Sequence, residues 1–225
     1  ALQCFTNEYV YSETKNEEKN LLALEKIIKK ALKNNAQPRS QEILALASYK
    51  ALSNYDCLNS VVVTDDIQEV FTRQVYEPIQ EEKLKKNFPI LKEVHDKVSS
   101  KVREQYEENP YPRWVNLGLD SRPMSIAKVV NEIQIKVHDQ KINEVKKPEI
   151  LIAGCGTGQH AIGTAARFKS SKVLAIDLSL SSLAYAKRKT AELGIKNIEY
   201  MQADILDLLH LNKQFDIIES SGVLH

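Results

Sequence analysis

Apolar residues in the first half of the chain recur three and four positions apart. Leu21, Leu24, Ile28 and Leu32 form one stripe with Lys and Glu between them, which predicts an amphipathic helix. After Pro38, Ser40 is placed to cap a second helix running to about Leu52. Thr64 can cap a third, with Ile67, Val70, Phe71 and Val75 on its face, and Pro78 suits the first turn of a short fourth. Leu91, Val94, Val98, Val102 and Tyr106 make a longer stripe that must stop at Asn109, because Pro110 disfavours helix in the residue before it. A last helix follows Ser125. No repeat of about 34 residues is sustained through these segments, so an array of helical pairs is not visible.

From Pro148 the rhythm changes to alternating strand and helix. Glu149–Ala153 is a short apolar run suited to a strand buried on both faces, and Gln159–Phe168 follows as helix. Lys172–Asp177 is a second strand, and Ser181–Leu193 a helix closed by Gly194. Ile198–Ala203, Ile205–Leu211 and Phe215–Glu219 add a strand, a short helix and a fourth strand. This order implies an α/β fold with a parallel sheet and right-handed crossovers, preceded by an all-α region.

Charge supports the same division, since 45 charged side chains fall in residues 1–148 and 16 in residues 149–225. The expected organisation is a helical N-terminal region (1–109), a linker and helix packing on the core (110–148) and an α/β domain (149–225). Between the helices and the glycine cluster, Gln105–Trp114 holds the only Trp, two Tyr and two Pro. Prolines one residue apart stiffen the backbone, so its aromatic side chains are read as docking on the neighbouring domain, with lining a cleft as the alternative. The net charge of +1 gives no field that would draw the chain to nucleic acid or to an anionic membrane. No apolar run approaches the roughly 20 residues a membrane span needs. Cys4, Cys57 and Cys155 are odd in number and lack CxxC spacing, which argues against a disulfide framework or a zinc site and for a reducing, cytoplasmic setting.

Four of the seven glycines fall between Gly154 and Gly163. The first strand-to-helix turn reads Ala153-Gly154-Cys155-Gly156-Thr157-Gly158-Gln159-His160. Alternating glycines remove the Cβ atoms that would hold a ligand away from the backbone, and the following helix offers free N–H groups. Asp177 ends the second strand, where a carboxylate can accept both hydroxyls of a ribose. Asp204, after the third strand, can accept from an adenine amine, and Ile205 can pack on the ring. Together these strand ends describe a pocket for an adenosine-bearing cofactor. The dinucleotide pattern Gly-x-Gly-x-x-Gly/Ala fails from Gly154 but is met from Gly156 to Ala161, so NAD stays open on the glycines alone.

The loop as a whole, with Asp177 and Ala203-Asp204-Ile205, resembles the class I S-adenosylmethionine-dependent methyltransferases. The resemblance covers residues 149–225 and implies a Rossmann-like sheet of order 3-2-1-4. It implies S-adenosylmethionine as cofactor, held by Gly154, Cys155, Gly156, Thr157, Gly158, Asp177, Leu178, Asp204 and Ile205, without a metal. The acceptor, a small molecule or a protein, is not identified by it, nor is any catalytic residue. One departure is Ile152, where the family usually carries an acidic residue. Its absence is expected to be made good by backbone carbonyls near Gly154 or by a side chain from the helical part. Ala1–Tyr11 and Gln105–Trp114 are similar to the region preceding the catalytic domain in a group of bacterial methyltransferases that often carry tetratricopeptide repeats upstream. An NAD-dependent oxidoreductase and a non-catalytic nucleoside-binding or interaction module are the alternatives. The chain begins at Ala1 without Met and supplies four of that family's seven strands. It is therefore expected to be a fragment, incomplete at its C-terminus, that binds donor weakly and does not turn over alone, with a fourth strand open to association.

The remaining candidates read plainly. Cys155 sits where the loop needs a small residue and is taken as structural, not as a nucleophile. His160 can meet the carboxylate of the cofactor or face solvent. His95, His138 and His210 fall on predicted helices without partner spacing. Lys187-Arg188-Lys189 reads as the solvated face of its helix. Glu219–His225 is the expected acceptor-facing loop, with His225 a candidate base or substrate contact.

Overall fold

A computed structural model describes residues 1–119 and 122–223. The chain divides into two units, Ala1–Gln80 and Glu81–His225. No helix among the described residues is long and apolar enough to cross a membrane.

The first unit is helical. After α1 (Leu2–Thr6) comes α2 (Lys15–Lys33), whose start is held reciprocally. Thr14 Oγ1 accepts from the Glu17 N–H at 3.2 Å, and Glu17 Oε2 accepts from the Thr14 N–H at 2.8 Å. Leu21 and Ile28 of the predicted stripe are buried, with Leu24 and Leu32 packed beside them. α3 (Ser40–Ala47) is shorter than the predicted run to Leu52. The Ala47 carbonyl, which residue 51 would need to continue the helix, accepts instead from Gln74 Nε2 at 3.1 Å and Tyr9 OH at 3.2 Å. Gln74 is fully buried and its Oε1 accepts from the Leu52 N–H at 3.1 Å, so one side-chain amide ends α3 and holds the turn after it. Thr64 precedes α4 (Asp65–Phe71), but its hydroxyl donates to Asp66 Oδ1 and does not cap the backbone. A π-helical turn, Thr72–Tyr76, joins α4 to α5 (Glu77–Lys85). It lies just ahead of Pro78, which has no N–H to give to the carbonyl four residues back.

The second unit adds α6 (Lys97–Glu108), α7 (Ile126–Glu132), β1 (Glu149–Ala153), α8 (Gln159–Arg167), β2 (Lys172–Asp177), α9 (Leu180–Glu192), β3 (Ile198–Gln202) and β4 (Ile217–Glu219). The four strands are parallel in the order β3-β2-β1-β4, the expected Rossmann-like arrangement. Alternate residues serve opposite faces. Ile150, Ile152, Val173 and Ala175 pack with Ile162, Leu183 and Ala186, while Leu151, Ala153, Leu174 and Ile176 pack with Leu91, Ile205 and Phe215. Asn197 closes the opposite end of the sheet, its Nδ2 donating to the Ala165 carbonyl at 3.0 Å and the Ser171 carbonyl at 3.2 Å.

Two further expectations differ from the structure. The stripe from Leu91 is helical only from Lys97, where Asp96 Oδ1 accepts from the Val98 and Ser99 N–H groups, both at 2.9 Å. Upstream of it, Pro89–Leu91 lies along the outer edge of β3. There the Leu91 N–H donates to the Gln202 carbonyl and the Gln202 N–H to the Pro89 carbonyl, both at 2.9 Å. His95 and His138 accordingly lie outside helices, and His210 lies in a 3₁₀ run, Ile205–Leu211. The second correction concerns Lys187-Arg188-Lys189, of which only Lys187 is exposed. Arg188 Nε donates to Glu81 Oε1 at 2.8 Å, and its guanidinium lies 4.9 Å from the Tyr185 ring centroid. Lys189 Nζ, with no exposed surface, reaches the Val115 carbonyl at 2.9 Å and Glu192 Oε1 at 2.8 Å, 4.9 Å from the Trp114 ring.

Lys189→Ala is expected to destabilise the second unit by about 2–3 kcal/mol, less than for a fully enclosed pair because Glu192 is partly exposed. Lys187→Ala should stay within about 0.5 kcal/mol. Denaturant unfolding followed through the fluorescence of Trp114, the only tryptophan, measures both; equal effects would refute the burial argument.

Candidate functional site

Gly154–Gly158 turns the end of β1 into α8. Its three glycines have φ of +76°, +51° and +90°, the left-handed region that glycine enters without steric cost. They serve different ends. A Cβ on Gly158 would stand 2.6 Å from the Ala186 Cβ of α9, and one on Gly154 would stand 2.3 Å from Val223 Cγ2. Those two let neighbouring protein close in. At Gly156 the nearest atom would be the Tyr111 carbonyl oxygen at 3.9 Å, so that position is open to a ligand.

The loop is tied to the end of β2. The Gly154 and Cys155 N–H groups donate to the Ile176 carbonyl at 3.0 and 2.9 Å, and the Gly156 N–H donates to Asp177 Oδ2 at 2.7 Å. Asp177 Oδ1 accepts from the Ser179 N–H at 3.0 Å. Burial pushes the Asp177 carboxyl up, opposed by the N–H groups of Ser179, Gly156 and Leu178, while the Glu107 carboxylate adds to the rise. Cys155 is buried; desolvation first, and then the Asp177 charge, holds its thiol well above the ordinary range, so it stays protonated as the structural reading expects.

The other predicted residues line the same edge. The Asp177 carbonyl accepts from the Ala203 N–H at 3.1 Å, which sets Asp204 and Ile205 beside it. Asp204 is buried and Oδ1 accepts from the Leu206 N–H at 2.9 Å, capping the 3₁₀ run. Leu178 is half-buried, its carbonyl accepting from Gln202 Nε2 at 2.8 Å. Thr157 is buried under the stiff segment: Oγ1 donates to the Pro112 carbonyl at 2.7 Å, and its carbonyl accepts from Trp114 Nε1 at 3.0 Å. Trp114 is buried, and its backbone N–H donates to Tyr185 OH at 2.9 Å. Its partners all belong to this unit.

The family model described as a methyltransferase domain matches residues 150–225. Residues 150–225 are thus similar to methyltransferase domains. Over 81 residues the chain is 40% identical to a release factor glutamine methyltransferase of Flavobacterium psychrophilum, covering 36% of the chain and 28% of that protein. A release factor glutamine methyltransferase of Fusobacterium nucleatum is 25% identical over 146 residues, covering 60% of the chain and 41% of that protein. The structure of PKMT2 from Rickettsia typhi in complex with AdoHcy is 32% identical over 34% of the chain and 15% of its own, with a TM-score of 0.32. The chain thus spans less than half the length of these relatives.

Two features of the second unit escaped the sequence. Glu219, the last residue of β4, pairs in register with Ile152. Its Oε2 lies 2.7 Å from His160 Nε2 and accepts from Thr164 Oγ1 at 2.6 Å. His160, given as a contact for the carboxylate of the cofactor or as solvent-facing, is engaged by this pair. Burial alone would raise the Glu219 carboxyl, but the bonds from His160 and Thr164, with the His160 and Arg167 charges, outweigh it and hold it below the ordinary range. The other feature is Glu107, at the end of α6, which reaches the turn before α9. Only its place within the quoted Gln105–Trp114 segment hinted at it. His225 lies outside the described residues.

Because its folded value is depressed, Glu219 contributes stability that is present above its unfolded value, about 4.3, and lost as pH falls through the lower folded one. Glu219→Gln should therefore cost about 1–2 kcal/mol at pH 7. The gap between parent and variant unfolding midpoints should narrow as the pH falls below about 4.3; a gap that stays constant on acidification would count against the pairing.

Proposed function

We propose that residues 149–225 bind S-adenosylmethionine and that the protein transfers its methyl group to an acceptor nucleophile, leaving S-adenosylhomocysteine. The observation that carries this reading is the bond between the Gly156 N–H and the Asp177 carboxylate, at the carboxyl edge of a parallel sheet whose strand order reverses beside β1. The residues fit the group. The space that a Cβ would take at Gly156 is free of protein, and Asp177 keeps exposed surface beside it. In this reading the backbone of Gly154, Cys155, Gly156, Thr157 and Gly158 cradles the methionine end. Asp177 accepts from the ribose hydroxyls, Asp204 from the adenine amine, and Leu178 and Ile205 pack on the base. When bound, S-adenosylmethionine supplies the electrophilic methyl, so the chain's own task is positioning and exclusion of water. The acceptor is a small molecule or a protein. The three cysteines are unpaired, which supports a cytoplasmic setting.

Calorimetry with S-adenosylmethionine, S-adenosylhomocysteine and NADH tests the reading: the first two should bind and NADH should not. Asp177→Ala should weaken S-adenosylhomocysteine roughly 30- to 150-fold, the loss of a charge-assisted pair of hydrogen bonds. Unchanged affinity would remove Asp177 from the site. Asp204→Asn keeps an oxygen to cap Leu206 but turns an acceptor into a donor. It should weaken S-adenosylhomocysteine more than its inosine counterpart, and equal losses would make Asp204 a cap alone.

A further inference from the structure

Glu107 is the penultimate residue of α6 and stands three before Pro110, yet its carboxylate hydrogen-bonds to a turn more than 70 positions away in the chain. Oε2 accepts from the Ser181 N–H at 3.1 Å and from Ser179 Oγ at 3.1 Å, and Oε1 accepts from Ser181 Oγ at 3.0 Å. The backbone reinforces the same grip: Ser179 Oγ also reaches the Tyr106 carbonyl at 2.9 Å, and Ser181 Oγ the Glu107 carbonyl at 2.7 Å. Each hydroxyl has two acceptors for its one hydrogen, so the turn stays tied whichever it takes. Lys85 Nζ, 3.5 Å from Oε1, is the cation facing this carboxylate.

The turn so held is the one that sets Asp177. The Ser179 N–H donates to Asp177 Oδ1 at 3.0 Å, and Asp177 Oδ2 in turn accepts from the Gly156 N–H. A continuous run of hydrogen bonds therefore leads from Glu107 through Ser179 and Asp177 to the glycine loop. At the other end of the same segment, Pro112 and Trp114 hold Thr157 of that loop. Capping alone does not account for the arrangement. Ser179 Oγ already accepts from the Ser182 N–H at 3.0 Å as the cap of α9. A second carboxylate near Asp177 also works against ionisation there, a cost that a neutral cap would avoid.

We infer that Glu107 is a positioning residue of the donor site, holding Asp177 against the glycine loop by fastening the Ser179–Ser181 turn. The inference rests on the proposed donor reading and adds a residue to it. If Glu107 acts through Asp177, its removal matters only while Asp177 is present, which a double-mutant cycle detects. The four proteins are the parent, Glu107→Ala, Asp177→Ala and the double variant, with S-adenosylhomocysteine as the calorimetric probe. Glu107→Ala should weaken binding about tenfold in the parent, the scale of a lost charge-assisted hydrogen bond, and less than about twofold in the Asp177→Ala background. Glu107→Gln, which keeps one acceptor for the Ser181 N–H, runs the same cycle with milder disturbance of the fold and should show the same non-additivity. An equal loss in both backgrounds, or no loss in either, overturns the inference while leaving the donor reading intact. Failure of the parent to bind S-adenosylhomocysteine overturns both.

Discussion

The hydrogen bond from the Gly156 N–H to Asp177 joins a loop of one strand to the end of the next, and much of the second unit is arranged to permit it. A carboxylate that loses water needs donors in exchange, and here the backbone of Gly156 and Ser179 supplies them. Gly156 can present its N–H only because its backbone turns at φ +51°, which a side chain would resist. The register of β1 on β2 sets the starting point: Ala153 lies opposite Ile176, one residue short of Asp177. A one-residue slip would move Asp177 out of reach of the loop and turn the apolar residues of β2 to the wrong faces. Sheet register and the position of the carboxylate are thus one constraint.

α9 is where that constraint meets the rest of the unit. Its first turn is held by Glu107, its middle packs Ala186 against the space left by Gly158, and its far half carries Arg188 and Lys189 inward. Buried cations are tolerated because each has partners: Glu81 for Arg188, and Glu192 with the Val115 carbonyl for Lys189. Both also lie against rings, Tyr185 and Trp114, whose faces attract positive charge. Trp114 is consequently fixed on two sides while its indole N–H holds Thr157. The stiff segment does not merely cover the glycine loop; it sets the position of one of the loop's own residues.

What the sequence disclosed and what it hid follow from how far apart the partners are. β1 to β4 and the glycine turn were legible because strand period and turn chemistry are local signals, whereas the order of the strands came from the family resemblance. The inward turn of Lys189 was not, since its partners include a carbonyl 74 residues away, and a run of three basic residues is ordinarily solvated. The early end of α3 was hidden for the same reason: Gln74 takes the Ala47 carbonyl from 27 residues downstream. Residues 91–95 kept a helical spacing of apolar side chains, yet the backbone pairing of Pro89–Leu91 with Gln202 decided their conformation. In each case a hydrogen bond between distant residues overrode a correct local preference.

At Ile152, where the resemblance leads one to expect an acidic residue, the neighbouring strand carries a carboxylate beside it. Ile152 is wholly buried among Ile162, Ala175 and their neighbours, where an ionised carboxylate would have to be satisfied inside an apolar layer. Its register partner is Glu219, on the same face of the sheet but at the last position of β4. That end position lets the carboxylate meet Thr164 and His160 of α8 while keeping some exposed surface. The strand order reverses around β1, and at such a reversal open α/β sheets commonly take their ligands. Carrying the negative charge on β4 leaves β1 apolar between its glutamate and its glycine loop, and it places the charge at a partly exposed strand end instead of inside the apolar layer.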